Sequence, residues 1–336
     1  MKRMLALCTL LACTPSSVSD AEKKGDVYWL EHQGSSEAVS ALGRLADEDK
    51  SAQKALESIA QRTENGKTVE GGAGAVDVYL AVWSAVERDK SWANAMMKSA
   101  LGAPARMEDA ASAVKLGSPH IAAFVPELDA AIGRGCGRCA LALASASGAP
   151  AEAAMTRRLD DAKTRDAMCA GLGGDSSSKG ARAVFMRAPV ASRDAPSCPG
   201  AAARMAAHDD EALAWLGQTA EPGLVRVAGA SDALSCPKLA RLWSTVFTTR
   251  DRATYVSLEV PLKDAVTRCP KDLDATLAVA LASDAESQSL AVAGMTPTDV
   301  SAATFPRACA AIGDVARGAA TPPIKARAAD VAARCR

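Results

Sequence analysis

Apolar residues recur along this chain at helical spacing and nowhere alternate as in a strand. Val76, Tyr79, Leu80 and Trp83 fall at i, i+3, i+4 and i+7. So do Cys236, Leu239, Ala240 and Trp243, and Leu273, Leu277, Ala280 and Leu281 share one face in the same way. A period near 3.6 predicts amphipathic helices with a buried stripe. Similar patterns predict helices near residues 36–46, 51–63, 90–101, 105–116, 120–134, 138–147, 150–162, 199–217, 252–268, 305–317 and 322–335. Short Gly, Pro, Ser and Asp clusters separate them. Helices this short with connections this short run antiparallel to their neighbours, which implies a bundle or a stack of helix pairs.

Composition points the same way. Of 336 residues 49% are hydrophobic but only 4% are aromatic, and alanine supplies much of the remainder. Alanine is the strongest helix former and the smallest side chain with a Cβ, so it suits closely packed helices. The expected class is therefore all-α. The 39 basic and 39 acidic residues are interspersed, which excludes the basic stripe of a nucleic-acid-binding surface.

The N-terminus has a different character. Lys2 and Arg3 precede an apolar run from Met4 to Ala12, the layout of an export signal and too short to span a bilayer. The run ends in Leu10-Leu11-Ala12-Cys13, which resembles the lipobox of bacterial lipoproteins. That resemblance implies a signal peptide over residues 1–12 and lipidation of Cys13. Thr14 rather than Asp follows the cysteine, which implies the outer membrane, with the periplasmic or surface face left open. On this reading residues 13–25 are a lipid-anchored linker, 26–172 an N-terminal helical half and 173–336 a C-terminal helical half. Gly-rich stretches at Glu70 to Ala75 and Gly171 to Gly180 are the expected joints.

Internal recurrence favours the stack. Cys198-Pro199, Cys236-Pro237, Cys269-Pro270 and Phe305-Pro306 each open a helical segment, at intervals of 38, 33 and 36 residues. Proline is well tolerated in a first helical turn. Ala41-Leu42-Gly43-Arg44-Leu45-Ala46-Asp47 resembles the end of the second helix in HEAT repeats, and Gly229 and Gly294 recur in similar small-residue contexts. The resemblance implies an irregular alpha-alpha superhelix whose stacked units offer an extended concave face.

Eight cysteines lie beyond Cys13: Cys136, Cys139, Cys169, Cys198, Cys236, Cys269, Cys309 and Cys335. An exported chain with an even number of cysteines predicts disulfides, although eight cysteines allow 105 pairings. Helix-end geometry selects Cys236 with Cys269 and Cys309 with Cys335, and suggests Cys169 with Cys198. Cys335 shares the stripe of Ile324, Ala328 and Val331, and Cys309 that of Ile312 and Ala316, so both face the seam between the last two helices. Cys136-Gly137-Arg138-Cys139 predicts a local disulfide. Its C-x-x-C spacing at a helix start also leaves room for disulfide-exchange chemistry, because a helix N-terminus and a nearby arginine stabilise a thiolate.

No other catalytic pattern is present. His32, His120 and His208 lie far apart and form no metal-ligating spacing. The chain lacks a nucleophile elbow, a Walker loop and a strand before its glycine runs, so no cofactor is implied. Two principal readings follow: a non-enzymatic scaffold or binding module in the bacterial envelope with another envelope protein as partner, or a thiol-disulfide exchange protein using Cys136 and Cys139. A third is a small-ligand carrier, with Trp83, Trp92, Trp215 and Trp243 as candidate lining residues.

Overall fold

The computed structural model describes residues 15–174, 177–188, 195–208, 210–219, 234–249, 258–296, 300–318 and 321–335. Among them are twenty α-helices and no strand beyond the isolated bridge between Thr68 and Gly74. The all-α expectation is met. Residues 1–12 and Cys13 lie outside the described residues, as does Gly229.

Contacts divide the chain into two compact units, the first comprising residues 1–172 and 176–188, the second 173–175 and 189–336. The first holds α1 (Val18–Lys24), α2 (Val27–Gln33), α3 (Ser36–Leu45), α4 (Lys50–Arg62), α5 (Ala75–Val86), α6 (Ser91–Gly102), α7 (Met107–Ser112), α8 (Val125–Gly133), α9 (Gly137–Ser145), α10 (Ala149–Asp160), α11 (Arg165–Leu172) and α12 (Lys179–Arg187). The second holds α13 (Cys198–His208), α14 (Asp210–Thr219), α15 (Cys236–Thr249), α16 (Glu259–Arg268), α17 (Pro270–Leu281), α18 (Ala285–Met295), α19 (Pro306–Gly318) and α20 (Pro322–Arg334).

In the first unit helices pack against their sequence neighbours and against the next helix but one. The odd-numbered helices α1, α3, α5, α7, α9 and α11 touch in succession, and so do α6, α8, α10 and α12. The second unit repeats the scheme, with α15, α17 and α19 in one row and α16, α18 and α20 in the other. Each row stays tight because small residues face each other across it. A Cβ on Gly43 of α3 would lie 2.9 Å from Cβ of Ala81 on α5, and one on Gly171 of α11 only 2.5 Å from the backbone of Ala140 on α9. Gly171 is thus a packing residue inside a helix, and not part of the joint expected there.

Several expectations are corrected. The expected linker contains α1, with Ser17 as N-cap, Gly25 as a left-handed C-cap, and Val18 and Ala21 buried. Two short caps close a seven-residue helix too brief to show a period. The single helix expected over 199–217 is two, ending at His208 and resuming at Asp210. The segment expected to be helical over 105–116 holds only α7, and that over 120–134 begins as a 3-10 turn, Pro119–Phe124, before α8. On α5 the expected stripe is only half buried, since Tyr79 and Trp83 are inside while Val76 and Leu80 are 37% and 49% exposed. Val78, Val82 and Val86 are buried instead. Nearly every position of α5 is apolar, so periodicity cannot choose its face. Part of the helix expected over 252–268 lies outside the described residues. Leu273, Leu277, Ala280 and Leu281 are buried together as expected.

The cysteines staple this framework. Cys236 is bonded to Cys269, joining the start of α15 to the start of α17, with Cα atoms 5.3 Å apart. Cys309 on α19 is bonded to Cys335 at the end of α20, with Cα atoms 5.5 Å apart. Cys169 and Cys198 are each disulfide-bonded as well.

Candidate functional site

The C-x-x-C motif forms the entrance to α9. Cys136 is its N-cap, and the Sγ atom accepts the N–H of Cys139 at 3.1 Å. The two residues are joined by a disulfide, and both are fully buried. Glu108, in the first turn of α7, reaches the same helix start. Its carboxylate accepts the N–H of Gly137 at 2.6 Å and that of Arg138 at 3.1 Å.

This arrangement limits the chemistry of the motif. The positive end of a helix depresses a thiol pKa when its N–H groups are free to face the sulfur. Here a carboxylate already holds two of them. Its charge extends to the neighbouring Asp109, whose carboxyl is held above the usual range by burial and secondarily by Glu108. Burial of both sulfurs also shields them from an attacking thiolate, and exchange requires such access. Nothing in the sequence pairs Glu108 with residues 29 and 30 positions later; the contact exists only because α7 and α9 are neighbours in one row.

A second feature lies between α3 and α5, where Gly43 and Ala81 bring the helices together. A cleft of about 240 Å³ opens there, lined by Ser40, Gly43, Arg44, Leu80, Ala81, Ser84 and Arg88. Its polar atoms are largely engaged by the protein itself. Arg44 makes two hydrogen bonds to Glu22, at 2.5 and 2.8 Å, and these hold the Glu22 carboxyl below its usual range against the opposing effect of burial. Arg88 donates to Asp47 at 3.1 and 3.2 Å and to the Ser84 carbonyl at 2.8 Å. The Trp92 indole donates to the same Asp47 at 3.3 Å. Ser40 and Ser84 donate back into their own helices, to the carbonyls of Ser36 and Leu80. The cleft therefore offers a small apolar floor between paired charges, a surface for contact with no nucleophile poised beside a base.

Trp83 and Trp243 belong to the core. Trp83 is buried against Phe124, ring centroids 5.5 Å apart, and Trp243 against Phe247 at 6.2 Å. The Trp215 side chain lies outside the described residues. Neither Trp83 nor Trp92 lines the cleft between α3 and α5. His32 lies 2.8 Å from the Tyr28 carbonyl through Nδ1, and His120 lies 3.6 Å from Asp89. The side chain of His208 is outside the described residues. Among the described residues no group of three His, Cys, Asp or Glu side chains could hold a metal ion, and no helix is long and apolar enough to cross a membrane.

Compared with protein-family models, curated proteins and solved structures, the chain matches none.

Proposed function

We propose that this protein is an exported, lipid-anchored scaffold of the bacterial cell envelope, held at the outer membrane through Cys13. Its helical units form an irregular HEAT-like superhelix that presents one row of helices to another envelope protein. The observation that carries the reading is the next-but-one packing of the helices into rows. Such rows expose an extended outer face, which is how repeat proteins bind partners. Disulfide bonding of all eight cysteines from Cys136 onward supports an oxidising compartment.

The scaffold reading is favoured over thiol exchange by the burial of Cys136 and Cys139 and by the carboxylate of Glu108 at their helix start. Alkylation of the folded, mildly reduced protein at neutral pH tests this directly. Slow labelling of both residues fits the scaffold; rapid labelling of either one assigns the motif to exchange chemistry and overturns it. Metabolic labelling with an alkyne fatty acid tests the anchor. Label is expected on the native chain and not on Cys13→Ala, and an unlabelled native chain removes the anchor from the proposal.

A further inference from the structure

We infer that the α1–α2 hairpin rests against the phospholipid surface, with Tyr28 in the interfacial layer, so that the first unit is seated on the membrane. This inference rests on the lipidation of Cys13 proposed above. The tether is short. Five backbone steps separate Cys13 from Val18, and a fully extended chain covers about 18 Å in that distance. Pro15, only two steps from Cys13, is already buried. An acyl chain on Cys13 therefore leaves no length over which the folded body could hang away from the bilayer.

The exposed side chains of the α1–α2 hairpin fit a lipid surface. Tyr28, the second residue of α2, is the most exposed of the large hydrophobic side chains among the described residues, at 72%. Lys23 and Lys24 are exposed at the end of α1. Tyrosine places its ring among headgroups with the hydroxyl in water, and lysine stems lie along apolar surface while the ammonium reaches water. The acidic residues nearby are engaged within the protein: Asp20 with Lys24, Glu22 with Arg44, Glu31 with Arg62, and Asp26 capping the N–H of Trp29. The hairpin's four acidic and two basic residues are brought to balance by Arg44 and Arg62, so this surface carries no excess of either charge, and the occupant it fits is a zwitterionic phospholipid interface entered by an aromatic ring.

Photocrosslinking in intact cells tests this. The full chain carries Tyr28→p-benzoylphenylalanine, or Lys115→p-benzoylphenylalanine at an exposed position of the same unit as a control, and intact mass reads the acylation of Cys13 in each. Both positions are exposed, so neither variant disturbs the core. The expected result is acylated protein with phospholipid adducts at position 28 and none at 115. Acylated protein without adducts at 28, or with equal adducts at both positions, overturns the seating and leaves the anchor intact. Unacylated protein overturns the anchor, and the seating with it.

Discussion

Asp274 on α17 accepts the backbone N–H of Ala308, at the start of α19, at 2.9 Å. The same carboxylate accepts the N–H of Arg307, so a helix is capped by a residue more than thirty positions earlier. Asp274 is only 6% exposed. Asp274→Ala leaves two N–H groups without their acceptor and is expected to lower stability by about 1 to 3 kcal/mol. Asp274→Asn, which keeps one carbonyl acceptor, is expected to lose less. Chemical denaturation of the three proteins checks the order.

The two packing glycines are expected to differ in their response to alanine. At Gly171 a new Cβ meets the Ala140 backbone, which cannot turn aside, and overpacking of that kind costs about 1 to 3 kcal/mol. At Gly43 the contact is with the Ala81 methyl group at 2.9 Å, a milder clash, and the helix propensity gained by alanine, about 1 kcal/mol, offsets much of it. Urea midpoints should fall further for Gly171→Ala. An equal or inverted order would refute this account of how the rows approach.

Disulfide deletion should scale with the loop that each bond closes. Cys236–Cys269 spans 33 residues and Cys309–Cys335 spans 26, for which chain entropy gives about 3 to 4 kcal/mol each. Cys136–Cys139 spans 3, and the same relation gives under about 2 kcal/mol. Paired Cys→Ala variants followed by thermal unfolding are expected to show the larger drops for the long-range bonds.

Asp129 on α8 predicts a loss of stability in acid. Burial raises its pKa, but hydrogen bonds from Arg158 and Arg157, at 2.7 and 2.9 Å, outweigh it and hold the carboxyl below 3.8. A depressed folded-state value means that its contribution is present above 3.8 and disappears as pH falls through that lower value. Asp129→Asn is therefore expected to be less stable than the native chain at neutral pH, with the gap closing toward pH 2. A gap that persists unchanged into strong acid contradicts the assignment.

Tyr79 predicts the opposite limb. Burial pushes its phenol up to about 12 despite the nearby Arg106. The unfolded phenol ionises near 10, so stability that depends on this residue is complete below pH 10 and is lost as pH rises toward 12. Tyr79→Phe should remove that part of the alkaline dependence in pH-jump unfolding.

Much of the helical framework can be read from local pattern, because a stripe such as Leu273, Leu277, Ala280 and Leu281 records which face is covered. The two long-range staples in the second unit are legible too, since Cys236, Cys269, Cys309 and Cys335 sit at the ends of helices whose order fixes which ends meet. Where a helix is apolar all round, as α5 is, pattern loses its direction, and Leu80 becomes part of a cleft rather than of the core. The partners of α9 are invisible for a different reason. Glu108 meets Gly137 only after α7 and α9 have docked, and no spacing along the chain encodes that meeting. The role of α1 is hidden by brevity, with only Val18 and Ala21 to mark its inner face.

Among the described residues, the principal contacts of a helix in each unit are with its chain neighbours and with the next helix but one along the chain. Low contact order of this kind allows assembly by zippering from any well-formed pair, and it confines damage. Within a unit, a destabilised helix pair can open while its neighbours stay seated, and a bond such as Cys309–Cys335 sets a covalent limit on how far that opening goes.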